Sequence, residues 1–397
     1  MLQPTDIMTG TAALAVAAWG FLLVFRGGFW RSHPRLSFDA AHDAATERYP
    51  SVVAVVPARN EAAVIATCVE TLLAQDYRGQ FRVIVVDDSS DDGTAEIARA
   101  AAARRGAQER LEAVRAEPLP PDWTGKMWAV GQGVRRAEEL APDYLWLTDA
   151  DIAHHPHELT HLVAKAEGEE RDLVSLMVCL NCETFWERLL IPAFVFFFQM
   201  LYPFPWVNDH ERRIAAAAGG SMLVRRTALE AAGSIEAIRH AVIDDCALAR
   251  AIKRRGTIWL GLADATRSLR RYESLKEIWA MVARSAYDQL GYSRRMLALT
   301  VIGLAVVFVA PVVVAVHGAL SGNLEEGPIG MIAWLMMTAA YRPTLRLYGG
   351  KGTGALALPI AALLYCAMTI DSARRHYRGQ GGGWKGRTYG PAEQNAG

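Results

Sequence analysis

Apolar and polar positions divide the chain into a greasy start, an alternating middle and a greasy end. Residues 7–25 carry no charged side chain, and Arg26, Arg31 and Arg35 follow. That length approaches the roughly 20 residues needed to cross a bilayer. A cleaved signal peptide would carry its basic residues first. The pattern therefore predicts an uncleaved anchor within residues 1–30. By the positive-inside rule its N-terminus lies outside and the chain from Arg26 onward lies in the cytoplasm. From residue 51 to about 175, strand-like apolar runs alternate with stretches of helical spacing: SVVAVVPA, EAAVIATCVETLLAQD, FRVIVVDDSS, GTAEIARAAAARRG and YLWLTDAD. Buried strands alternating with helices predict an α/β domain with a mostly parallel sheet, its ligands gathered outside the strands' carboxyl ends.

Leu297–Val316 is a second strongly apolar run, preceded by Arg294 and Arg295 and followed by a loop without Lys or Arg. Two weaker runs cover residues 329–341 and 353–370. If both crossed the membrane, the basic, Gly-rich tail at 373–397 would lie outside, against the charge rule. The shorter run, 329–341, is therefore expected to be re-entrant or interfacial within a membrane region spanning 296–372, which leaves the tail cytoplasmic. The segment FWERLLIPAFVFFFQMLYPFPW, residues 185–206, has internal prolines and aromatic ends. It reads as a helix lying in the membrane interface in preference to a buried core helix.

The charge balance of 42 basic and 42 acidic residues gives no global field for nucleic acid. The apolar share of 52% is somewhat high and is concentrated at the two ends. Cysteines at 68, 179, 182, 246 and 366 are odd in number and lack framework spacing, which favours a reducing compartment. Cys179 and Cys182 have CxxC spacing, but no second pair answers them, so they read as an ordinary strand-and-turn pair.

Carboxylates recur where predicted strands end. Asp87 and Asp88 close the second strand, and Ser90 and Asp91 then suit a helix cap. Asp149 and Asp151 close the third. Hard oxygens two residues apart suit Mg²⁺ or Mn²⁺ completed by phosphate and water, and the ion would cancel the pair's repulsion. Asp244 and Asp245 open a later helix, where acids favour the dipole or one serves as a general base. Lys126, in WTGKMWAVGQG, either places a cation near a diphosphate or is simply solvated. His154, His155 and His157 follow the metal pair but read as a turn before a helix, because Mg²⁺ prefers oxygen.

Six segments occur in order: VVPARNE (55–61), VVDDSSDDGT (85–94), GKMWAVGQG (125–133), TDAD (148–151), GGSMLVRR (219–226) and IDDCALARAIKRRG (243–256). Over residues 50–290 the chain resembles the membrane-bound inverting glycosyltransferases of family 2, with the GT-A fold. SLKEIWAMVARSAYDQL, YRPTLRLYG and GGGWKGRTYG are similar to segments of the bacterial hopene-associated members. The resemblance implies that Pro57, Ala58, Arg59 and Glu61 meet the donor's base and ribose. Asp88, with Asp87, would read the uracil or ribose, and Lys126 would lie near the donor. Asp149 and Asp151 would hold the metal under the UDP diphosphate. Asp245 would be the catalytic base, with Asp244 where most relatives carry Glu. The Gln-x-x-Arg-Trp motif of processive synthases is missing, which points to a single transfer, and Arg284 in WAMVAR is the nearest substitute for its arginine.

The function so implied is metal-dependent transfer of one sugar from a UDP-sugar to a lipid hydroxyl. The acceptor expected is a hopanoid or another polyisoprenoid alcohol, and the location a multi-pass inner membrane protein with a cytoplasmic catalytic domain. A sugar nucleotidyltransferase would usually carry a Gly-rich basic loop after the first strand, which VVPARNEAAV lacks. A non-catalytic scaffold would not need all three acidic stations.

Overall fold

The computed structural model describes residues 4–36, 38, 48–380, 383–384 and 387–388. They form two compact units: an α/β unit of His33–Asn181 and Trp206–Arg271, and a helical unit of the chain up to Ser32, Cys182–Pro205 and the helices from Tyr272 onward. Residues 182–205 and 272–290, inside the span 50–290 read from the sequence as one catalytic domain, cluster with the helical unit.

In the α/β unit the strands are β1 Arg35–Leu36, β2 Val52–Ala58, β3 Phe81–Asp87, β4 Leu111–Arg115, β5 Tyr144–Leu147, β6 Ile152–Ala153, β7 Leu173–Cys179, β8 Met222–Arg225 and β9 Ile258–Ser268. The sheet runs β1-β9-β7-β8-β5-β2-β3-β4, with β6 paired to β9. Pairings β2–β3, β3–β4, β2–β5, β7–β9 and β1–β9 are parallel. β8 runs antiparallel to both β5 and β7. The mostly parallel α/β sheet expected from the alternation is thus found. All seven residues of β2 are buried, as a strand covered by helices on both faces requires.

One face of β2 meets the helix Ile65–Leu73: Ala54 and Val56 share a core with Ile65, Val69 and Leu72. The other face meets the helix Gly125–Glu138 at very short range. A Cβ on Gly133 would come within 2.4 Å of Val55 Cγ1 and 3.0 Å of Val86 Cγ2. The missing side chain therefore sets the height of this helix over the sheet, and Lys126 sits in its first turn.

In the helical unit, Pro4–Phe25, Arg294–Ser321 and Gly352–Tyr377 contain stretches long and apolar enough to cross a membrane. A π turn at Ala305–Val309 interrupts the second, and Trp19 Nε1 donates to Val307 O at 2.9 Å there. Residues 329–341 lie inside an unbroken helix, Glu326–Leu347. A Cβ on Gly330 would come within 2.5 Å of Ala315 N, so small residues let these helices approach closely. The helix Phe185–Leu201, read from the sequence as interfacial, is built into this unit's core. Leu190, Ala193 and Phe196 pack with Phe29, Met337 and Tyr341, while Phe185 and Leu201 are exposed. A capping box starts it, with Thr184 and Glu187 each satisfying the other's backbone N–H.

The close approach at Gly133 gives a direct test. Gly133→Ala is expected to lower stability by about 1–3 kcal/mol through overpacking, read as a reduced midpoint in denaturant unfolding followed by a probe in the α/β unit.

Candidate functional site

Three loop clusters converge at the carboxyl ends of β2, β3 and β5. After β2 and β3 the chain turns through Asn60 and Ser89, both at positive φ. These turns are knitted together: Asn60 N donates to Ser90 Oγ at 3.0 Å, and Asp91 N donates to Asn60 Oδ1 at 3.1 Å. Glu61 N donates to Thr94 Oγ1 at 2.9 Å. Asp87 Oδ1 accepts from the Ser90 backbone N–H at 3.1 Å. Asp88 is buried and pairs with Arg59, Nη1 to Oδ2, at 3.4 Å. The two expected base-reading segments are therefore one continuous polar rim.

Lys126 joins the second and third acidic stations. Thr124 caps its helix, and Lys126 Nζ lies 2.8 Å from Asp149 Oδ1 and 3.0 Å from Asp244 Oδ2. Burial works against the ammonium, but Asp149 and Asp244 outweigh it and raise its pKa well above the usual lysine range. Pro57, Thr148, Asp149, Gly219, Asp244 and Lys126 line one cleft, whose remaining wall is apolar, with Val130, Met222 and Leu248.

Asp245 stands beside this cation. Its Oδ2 accepts from Gly219 N at 3.0 Å and its Oδ1 from Cys246 N at 2.6 Å. Burial first, then the charge of Asp244, pushes its pKa up to about 6, against the opposing pull of Lys126 and the two N–H donors. A carboxyl poised there is charged at neutral pH yet accepts a proton readily.

Asp149 and Asp151 both stand in the turn after β5, but they face different cations. Asp151 Oδ2 accepts from Arg270 Nε at 2.7 Å, and Arg270 Nη2 donates to Glu61 Oε1 at 3.1 Å. Among the described residues no three His, Cys, Asp or Glu side chains gather as a metal site. The two carboxylates nevertheless supply hard oxygens at one turn, and Mg²⁺ needs only one or two of these beside phosphate and water. The donor set fits such an ion, with Lys126 and Arg270 taking the carboxylates' charge meanwhile.

Beneath the turn lies a buried network that the sequence did not announce. His154 Nδ1 and Glu158 Oε2 are 2.9 Å apart, and His154 Nε2 lies 3.0 Å from Thr148 Oγ1. Ser221 and Thr266 donate to Glu158 at 2.7 and 2.6 Å. Burial opposes the Glu158 charge, but His154 and these hydroxyls hold its pKa below the usual range. His154 is thus a structural histidine, and the network ties β5, β8 and β9 under the Asp149–Asp151 turn. All five cysteines are free; Cys179 Sγ donates to Ala263 O at 3.3 Å. Arg284 lies in the helix Leu275–Ser285 of the helical unit, whereas every other candidate belongs to the α/β unit.

Residues 50–287 match the family model described as Glycosyltransferase like family 2. The chain belongs to this family. It is 30% identical over 171 residues to a 4,4'-diaponeurosporenoate glycosyltransferase of Staphylococcus haemolyticus, covering 43% of this chain and 42% of that protein. It is 31% identical over 130 residues to the glycosyltransferase AglE of Haloferax volcanii, covering 32% and 40%. The chain thus spans about two-fifths of the length of these curated relatives. A mannosyltransferase of Pyrobaculum calidifontis, solved with GDP-Man and Mn²⁺, superposes with a TM-score of 0.53 at 19% identity, covering 93% of this chain and 98% of that one. The fold of this family 2 glycosyltransferase is therefore GT-A.

The ionisation of Asp245 is open to measurement. Carboxyl-carbon NMR is expected to find a group titrating near pH 6 that disappears in Asp245→Asn. Asp244→Asn should move its midpoint down, by removing a like charge, and Lys126→Met should move it up. Because the folded pKa is raised, this group's contribution to stability falls as pH rises from about 4 through about 6.

Proposed function

We propose that this family 2 glycosyltransferase moves one sugar from a UDP-sugar to the hydroxyl of a membrane lipid, with inversion at the sugar's C1. The observation that carries the reading is the shared cleft of Lys126, Asp149 and Asp244, with Asp245 beside it, its oxygens held by the Gly219 and Cys246 N–H groups. Arg59, Glu61, Asp87 and Asp88 form the rim we assign to the nucleotide base and ribose, together with Pro57 and Ala58 at the buried end of β2. A divalent ion, Mg²⁺ or Mn²⁺, held by Asp149 and Asp151 would neutralise charge on the diphosphate.

The chain's own groups do the rest. Lys126 supplies a permanent positive charge where the diphosphate leaves. Asp245 accepts the proton of the acceptor hydroxyl as its oxygen attacks C1 from the face opposite the diphosphate. The C1–O bond to the diphosphate breaks, UDP departs with that electron pair, and no covalent sugar–enzyme intermediate forms. Asp244 keeps Lys126 in place and, by its charge, keeps Asp245 basic.

The lipid acceptor is supported by three helices, among the described residues, long and apolar enough to cross a membrane and by a relative named for 4,4'-diaponeurosporenoate. The resemblance to hopene-associated members narrows the acceptor to a hopanoid or a similar polyisoprenoid alcohol. The accompanying topology is an anchor within residues 1–30 and further membrane helices in 296–372, with the catalytic unit and the basic tail on the cytoplasmic side of the inner membrane. Most of that tail lies outside the described residues.

Incubating membranes with radiolabelled UDP- and GDP-sugars and extracting the lipids should give a labelled lipid product with a UDP-sugar. Asp245→Asn is expected to cut transfer by about a hundredfold to ten-thousandfold while nucleotide binding persists. Near-normal turnover in that variant would remove Asp245 from the role of base.

A further inference from the structure

Arg270 was not among the residues the sequence marked, yet it bridges two donor-site stations. Its Nε reaches Asp151 at 2.7 Å and its Nη2 reaches Glu61 at 3.1 Å. Both carboxylates are largely buried, while the arginine side chain is 39% exposed. The backbone beside it is locked to the same turn. Leu269 N donates to Asp151 O at 2.7 Å, and Ile152 pairs with Ser268 in register. Arg270 therefore cannot leave the neighbourhood of Asp151; only its guanidinium can swing.

We infer that Arg270 is the guanidinium that grips the donor's diphosphate, exchanging the Asp151 carboxylate for phosphate oxygens when the nucleotide enters. The inference rests on the proposed donor reading and goes beyond it by assigning a residue. A guanidinium presents two parallel N–H donors that match phosphate oxygens as well as carboxylate, and it stays charged throughout. Lys126, a point charge, cannot offer that fork. The exchange also frees a hard oxygen of Asp151 as the diphosphate arrives, so nucleotide and divalent ion should bind better together than apart.

The test uses the full chain in detergent, comparing wild type with Arg270→Gln and Arg270→Lys, each first checked for an unchanged thermal transition. Calorimetry should show UDP affinity falling about ten- to a hundredfold in Arg270→Gln, with uridine affinity unchanged and Arg270→Lys intermediate. Mn²⁺ alone, followed by electron paramagnetic resonance, should bind more tightly to Arg270→Gln, because Asp151 has lost its competitor. A purely structural arginine would not move these two affinities in opposite directions. Unchanged UDP affinity, or Mn²⁺ bound no more tightly than by wild type, overturns the exchange while leaving the donor reading intact. A wild-type chain that binds neither UDP nor GDP overturns the donor reading and the exchange together.

Discussion

Carboxylates crowded at the edge of a parallel sheet repel one another, and each such pair about 4 Å apart costs about 4 kcal/mol at an effective dielectric constant of 20. Asp149, Asp244 and Asp245 come together here because the half-buried Lys126 stands among them, bonded to the first two. Arg270 does the same for Asp151 and Glu61. In this structure the two protein cations balance the acidic charge that the proposed diphosphate and divalent ion would meet. A site balanced in this way can fold without its ligand and still offer strong contacts when the ligand comes.

The scaffold serves that balance. Lys126 reaches Asp149 because its helix lies on β2 and β3 at a height fixed by Gly133 against Val55 and Val86. Asp149 and Asp151 hold their turn because His154, Glu158, Ser221 and Thr266 form a satisfied polar network beneath it. Gly219, at the approach to β8, turns its N–H to Asp245. The acid–cation cluster is thus supported from the sheet, from one helix and from a buried network.

Much of this was legible in the residues. Short apolar runs marked β2, β3 and β5, the last two leading into Asp87 and Asp149, because buried parallel strands are continuously apolar and their ends are where charge becomes tolerable. The three acidic stations and Lys126 could be named, and in the structure Lys126 joins the second and third through Asp149 and Asp244. Arg270 could not: it sits far along the chain after β9, and its meaning arises only when β6 pairs with that strand. His154 looked like part of an exposed turn, since nothing local says that Glu158 is buried behind it. The segments 182–205 and 272–290 lie within the span that resembles the family, yet they cluster with the helical unit. Their apolar faces find partners in helices far away along the chain, so burial pattern alone could not assign them.

The central claim is that this cation-filled acidic cleft receives a nucleoside diphosphate-sugar. The most direct measurement is a cryo-electron microscopy map of the full chain in lipid nanodiscs with a non-hydrolysable UDP-sugar and Mg²⁺. The account expects diphosphate density between Lys126 and the Asp149–Asp151 turn, with the sugar's C1 facing Asp245. Nucleotide bound elsewhere, with the Lys126–Asp149–Asp244 contacts left as they stand here, would contradict it.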